Sequence, residues 1–337
     1  MTNIFTNTLS LSAVLLSCIA AFCACSNDEL AIDTVNKDGA VAQASLKSTS
    51  KGTNPSLVFC GDQYIYMIDA NKASESRYQN AVVESWNAAT FADTIGLPEN
   101  LCKYITECKP VNDGKDLLIT SYNGWAIMLN VETGNVPFHT VMSFGAHSAD
   151  LLPDNRVAVA CANPGNSIQI YDLNNNDHIV SNVKLSGAQG VCWNDDLQRL
   201  FAINQNSLNS YRLVDWNTNH PSLELVSSIA TPNENMKDLS IVSSNKLCVA
   251  GSGLFIYDIS ENTFTEMTQF SSSKVINSAN FNETTGEAWY TDATVPEGKA
   301  IWSTRSLSHS YNVNGSADSS KIGISDLDVY AVRVLHW

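Results

Sequence analysis

Basic residues are scarce: 19 Lys+Arg face 34 Asp+Glu in 337 residues, for a formal net charge of −15. A chain this acidic is repelled at long range by phosphate backbones, which excludes general affinity for nucleic acid. Charge of either sign is thin, at 16% of residues, while 44% are hydrophobic, so neither a disordered chain nor a coiled coil fits. No apolar run exceeds the 16 residues of 9–24, short of the roughly 20 that a membrane-spanning helix needs. The six cysteines beyond residue 25 contain no C-x-x-C pair, which argues against a zinc ribbon or a thioredoxin-type redox site. There is no Gly-x-Ser-x-Gly elbow, no phosphate-cradling glycine loop and no helical stripe of useful length.

The 16-residue run lies between the N-terminus and a polar stretch, the layout of a secretory h-region, although no Lys or Arg precedes it. Two cysteines could follow the cleavage point. Leu15-Leu16-Ser17-Cys18 is the better lipobox but leaves a short h-region; Phe22-Cys23-Ala24-Cys25 is the poorer lipobox with the better h-region. The segment Cys25-Ser26-Asn27-Asp28-Glu29 resembles the Cys-Ser-acidic start of surface lipoproteins in Gram-negative gut anaerobes, which favours Cys25 as the lipidated residue. Residues 1–24 are therefore expected to be a signal sequence and 25–55 a lipidated cysteine with a flexible tether. Such a chain would be held at the outer membrane or cell surface by its lipid, with a periplasm-facing orientation as the alternative.

From residue 56 to 337 the pattern is all-β, with short Val/Ile/Tyr/Phe/Leu runs broken by Asn/Gly/Asp/Ser turns. One element recurs, an alternating apolar run closed by Asp or Asn: it ends at Asp69, Asn130, Asp172, Asp215 and Asp258. The last four positions are spaced by 42, 43 and 43 residues, and a weaker copy covers Ala300-Ile301-Trp302-Ser303-Thr304. The first interval, 61 residues, implies an insertion of about 18 residues around 74–100 carrying Arg77, Tyr78, Glu84 and Trp86. Four short strands per 40–45 residues is the unit of a β-propeller blade. The first unit, Leu57-Val58-Phe59-Cys60, lacks an inner strand, and the chain ends in a spare one, Val329–Val334. Pairing the two closes a ring of six blades of roughly 47 residues each, with seven shorter blades as the less favoured count.

In such a ring the first residues of the inner strands surround the mouth of the central channel. His147, Asp150, Gln189, Lys237, Asp238, Asn277 and Asp326 are the expected mouth residues, and no catalytic or metal-ligating set is assigned among them. Tyr122 and Trp125, on the tight turn Tyr122-Asn123-Gly124-Trp125, are candidates for stacking on a sugar ring or anchoring a protein. Trp193, Trp289 and Trp302 fall in strand-like runs and are expected in the core. Export would permit disulfides, with Cys102 and Cys108 closest in sequence, whereas Cys60, Cys161, Cys192 and Cys248 sit in apolar runs that suit buried thiols.

His147-Ser148, Ala188-Gln189-Gly190, Lys237-Asp238-Leu239 and the closing Tyr330-Ala331-Val332-Arg333 resemble the inner-strand motifs His-Ser, Ala-His-Gly and His-Asp-Leu of an uncharacterised family of secreted bacterial propellers of the YVTN/quinoprotein-like type. Two of the three motif histidines are replaced here, by Gln189 and Lys237, and a lysine ammonium repels a metal cation. The resemblance implies a fold and no established activity. The expectation is a non-catalytic binding module with no cofactor, for an extracellular glycan or an envelope protein partner. The acidic surface favours neutral glycans over charged ones. The alternative is a polysaccharide lyase or glycosidase working at the channel mouth, which needs paired titratable groups there.

Overall fold

The computed structural model describes residues 56–142, 145–218, 220–270, 275–293, 302–313 and 316–337. The signal sequence, Cys18, Cys25 and the tether lie outside the described residues, as do Ala300 and Ile301. Six four-stranded antiparallel sheets make a six-bladed β-propeller. The inner strands are Val329–His336 (blade 1), Ile105–Val111 (blade 2), Ala146–Leu152 (blade 3), Gly190–Asn194 (blade 4), Asp238–Ser243 (blade 5) and Ile276–Asn282 (blade 6). Each contacts the next around the ring, and the sixth contacts the first.

Position in the blade explains the hydrophobic pattern. Second strands are covered on both faces by neighbouring blades, so they read as unbroken small and apolar runs. Asp116–Ser121 is buried at every residue, and Arg156–Cys161 at every residue but the first. Outer strands such as Ile179–Lys184 have no such cover and are polar and exposed. All six cysteines beyond the tether are free and buried, so Cys102 and Cys108 pack as thiols in one cluster with Cys60, Ile105 and Trp125.

The recurring Asp/Asn has a local cause: it ends the third strand and its side chain accepts backbone N–H groups of the turn that follows. Asp69 accepts from Asn71 and Lys72, Asn130 from Thr133, Asp172 from Asn174, and Asp258 from Ser260 and Glu261. Asp215 instead takes a left-handed backbone, φ +52°. The weak sixth copy does not mark the equivalent strand. Blade 6 draws its third strand from Ser306–Val313, while Thr304 makes only an isolated bridge to Val329. The insertion resolves into the outer strand of blade 1, Val82–Asn87, flanked by short helices at Ala70–Glu75 and Ala92–Ile95.

Closure follows the expected route. Val329–His336 pairs antiparallel with Ser56–Gly61, setting Val58 opposite Arg333 and Phe59 opposite Val332. The seam is tight at Gly61, where a Cβ would fall 2.1 Å from the Asp328 carbonyl oxygen. Only glycine admits that approach.

Candidate functional site: a bulged ring at the channel mouth

Every blade carries the same irregularity at the top of its inner strand. Pairing between inner and second strands slips by one residue at Thr106 in blade 2, His147 in blade 3, Asn277 in blade 6 and Tyr330 in blade 1. In blade 4, Gln189 and Gly190 both face Ile203, and in blade 5, Lys237 and Asp238 both face Ala250. A one-residue bulge leaves the extra residue unpaired and re-aims its side chain. Six bulges thus present Tyr330, Thr106, His147, Gln189, Lys237 and Asn277 in a ring.

All of these but Asn277 line a cavity of about 900 Å³ at the mouth. Asn277 sits just behind it, and its Nδ2 donates to the Trp302 carbonyl at 2.9 Å, fixing the backbone that carries that indole. Three exposed aromatic rings stand on the cavity wall: Tyr104 is 61% exposed, Trp302 54% and Tyr122 44%. Tyr104 has φ +60°, a conformation that costs a bulky residue on the order of 1–3 kcal/mol. The surrounding backbone holds it there: Tyr122 N–H donates to the Tyr104 carbonyl at 3.0 Å and Ile105 N–H to that of Asp62 at 2.9 Å.

Deeper in the cavity, the Tyr122 ring meets His147 edge-on with centroids 5.6 Å apart, and the Tyr330 hydroxyl lies 3.3 Å from His147 Nδ1. Burial, helped by the Lys237 charge, pushes the His147 pKa down to about 3, so the ring is neutral at any physiological pH. Lys237 places its Nζ 4.7 Å over the Trp302 ring, and burial lowers its pKa too. Gln189 is 5% exposed, and its Oε1 has no hydrogen-bond partner. Among the described residues no three His, Cys, Asp or Glu side chains gather as a metal site.

Below the mouth the channel is closed by ion pairs. Arg333 reaches across from blade 1, giving Nε and Nη2 to the two Glu107 carboxylate oxygens at 2.8 and 2.6 Å. Its Nη1 and Nη2 reach those of Asp238 at 2.7 and 2.6 Å. Ser148 Oγ and the Cys108 N–H complete Glu107, and the Ala279 N–H completes Asp238. Beside this buckle Lys109 donates to the Val191 carbonyl at 2.6 Å and lies 3.4 Å from Asp150, which also accepts the Trp193 N–H.

The expected mouth residues therefore divide. His147, Gln189, Lys237 and Tyr122 come together. Asp150 and Asp238 lie beneath the mouth and are held by Lys109 and Arg333: Asp238 directly follows the bulged Lys237 and Asp150 lies three residues past His147, where a buried charge is tolerated only when paired. Asp326 is outside the ring, bound by the Tyr78 hydroxyl at 2.5 Å and by Gln79; Tyr330 takes the blade 1 position. Trp125 is fully buried, with its Nε1 donating to the Leu101 carbonyl at 2.8 Å, because the insertion folds over it. Trp302, expected in the core, is on the cavity wall. Sequence reasoning missed Tyr104, Thr106, Trp302 and the Arg333–Glu107 buckle; the alternation in Tyr330-Ala331-Val332-Arg333 was the one visible hint.

No protein-family model matches this chain, and no curated protein does either. Among solved structures it is similar to hydrazine synthase of Kuenenia stuttgartiensis, with a TM-score of 0.46, 15% identity and 67% of each chain covered. It is similar to a chain of the mitotic checkpoint complex, with a TM-score of 0.49, 13% identity, and 89% of this chain and 92% of that one covered. A third similarity is to the C-terminal WD40 domain of Sif2, with a TM-score of 0.46, 11% identity, and 78% and 76% covered.

Proposed function

We propose that this is a lipid-anchored cell-envelope protein whose propeller binds an extracellular glycan at the channel mouth without transforming it. One observation carries the reading: the exposed rings of Tyr104, Tyr122 and Trp302 stand around one cavity whose inner wall supplies an imidazole, a phenol and an amide. Sugar rings present C–H faces to aromatic rings and hydroxyls to such polar groups. The anchor rests on the lipobox cysteine, Cys25, and the short polar tether after it. Membership among the secreted propellers with His-Ser and His-Asp-Leu inner strands is part of the same proposal and rests on His147-Ser148 and Lys237-Asp238-Leu239. A hydrolytic or lyase reading loses Asp150 and Asp238 as its acid or base, since both are tied in ion pairs.

The test is a glycan array probed with the full-length chain in detergent, beside Trp302→Ala and Tyr122→Ala. The expected outcome is binding to a defined glycan set that falls at least about tenfold in either variant, with thermal melting unchanged. An array with no bound glycan overturns the reading.

A second reading, an envelope protein partner, is favoured by a separate groove of about 410 Å³ bordered by Leu197 and Val226, which are 39% and 50% exposed. Crosslinking in intact cells from a photoreactive residue at 226 tests it, and an uncrosslinked protein overturns it.

A further inference from the structure

Lys237 is a cation in the cavity of a chain whose net charge is −15, and among the described residues its charge is unanswered. Among the described residues its ammonium has no carboxylate within ion-pair distance; its one close polar contact is the Trp302 face. The carboxylate next to it in sequence, Asp238, is turned away into the buckle with Arg333. Among the described residues two other carboxylates line the cavity. Asp328 is paired with Arg305 at 2.9 Å, and Asp62 lies on the first turn of blade 1, two blades around the ring from Lys237. His147 is uncharged and brings no second cation to the cavity. An ammonium partly removed from water without a counterion is a cost that the free protein carries, and a bound anion relieves it.

Resting on the glycan-binding reading of this cavity, we infer that its ligand is an acidic saccharide whose carboxylate pairs with Lys237 while its ring lies against the exposed part of Trp302. In a uronic acid the carboxylate is attached directly to the pyranose ring, so a sugar resting on the indole carries its anion beside the ring, next to the group already poised over Trp302. Asn277 fixes that arrangement by holding the Trp302 carbonyl. The inference reverses the expectation drawn from net charge. Repulsion from a charge spread over the surface is screened within about 8 Å at physiological salt, whereas contact with Lys237 inside a part-buried cavity is screened far less.

The experiment is calorimetric titration of the full-length chain in detergent with oligosaccharide pairs that differ only in oxidation at C6. Galacturonate is set against galactose oligomers, glucuronate against glucose and mannuronate against mannose. Lys237→Met and Lys237→Arg are run beside the parent chain, each checked by its melting curve. The expected result is at least one acidic oligomer binding about tenfold or more tightly than its neutral twin, with an advantage that shrinks as salt is raised. Lys237→Met should erase that advantage, while Lys237→Arg keeps it. Equal binding of both members, or tighter neutral binding, overturns the acidic-saccharide inference and leaves glycan binding standing. A preference that survives in Lys237→Met overturns it as well. Absence of binding to any sugar overturns both.

Discussion

His147 is held neutral by its surroundings, and that has a measurable cost. In the unfolded chain a histidine takes up a proton near its ordinary value of about 6.5, whereas in the fold burial and Lys237 keep the ring unprotonated down to about 3. The folded pKa is the depressed one, so the unfolded chain binds more protons throughout that interval. Stability conferred at neutral pH is then lost as pH falls from the first value towards the second. His147→Gln should flatten this part of the profile: urea midpoints measured from pH 7 to pH 4 should fall less in the variant than in the parent chain. Equal slopes would show that the imidazole is more solvated than its packing against Tyr122 and Tyr330 indicates. The two tryptophans show where residue-level reading fails. Trp125 follows a turn and reads as a surface aromatic, and Trp302 lies in an apolar run and reads as core. Their true environments depend on the segment around 88–102 that covers the first and on the bulge of Asn277 that supports the second. Neither is local in sequence.

At the level of strands, the repeat was legible because its cause is local. A side chain that accepts the next turn's N–H groups recurs at the same place in each blade whatever the blade packs against. Blade number and closure were legible for a related reason: an unpaired strand at each end of a strand count is visible without coordinates. The bulges were hidden, since an extra residue in an inner strand does not interrupt the apolar run of the second strand beside it. Yet bulges decide which side chains reach the mouth, so the ring was recovered where a motif marked it, at His147, Gln189 and Lys237, and at Asn277 from its place at the head of an inner strand. In blade 2 the polar mouth residue Thr106 carried no such mark, and Tyr330 of blade 1, though within the closing motif, was read as part of the strand and not as a mouth residue. The seam itself is open to test. Gly61→Ala sets a methyl group against the Asp328 carbonyl, where the nearest approach allows none. Overpacking of this kind costs about 1–3 kcal/mol, and the strand that must yield also carries Tyr330. Denaturant unfolding should show a loss in that range, whereas an unchanged midpoint would mean that the seam relaxes without strain.

Across the whole ring, Arg333 joins blades that are far apart in the chain, linking blade 1 to blade 2 through Glu107 and to blade 5 through Asp238. Burial alone would raise the Glu107 pKa, but the Arg333 charge and hydrogen bonds overcome it and hold the carboxyl below its usual range. That contribution is present above the ordinary carboxylate pKa and disappears as pH falls through the depressed folded value. Arg333→Met strands two buried carboxylates and should cost about 3–5 kcal/mol. The penalty should be largest at neutral pH and shrink as pH falls, because burial alone raises the Glu107 pKa and protonation then relieves the stranded charge. Calorimetric melts of both chains over a pH series check the size and the direction together, and a loss of equal size at every pH would point to packing rather than charge.

The strand Val329–His336 has a consequence in time as well as in space. Ribosomes make the chain from its N-terminus, so Ser56–Gly61 emerges early and waits for a partner until nearly every other described residue has been made. Until then one blade has an open flank able to pair with any passing strand. Closing the ring pairs strands over the longest sequence separation among the described residues, and contacts of that range form slowly. Until its own tail arrives, that first hairpin is the edge most open to mispairing.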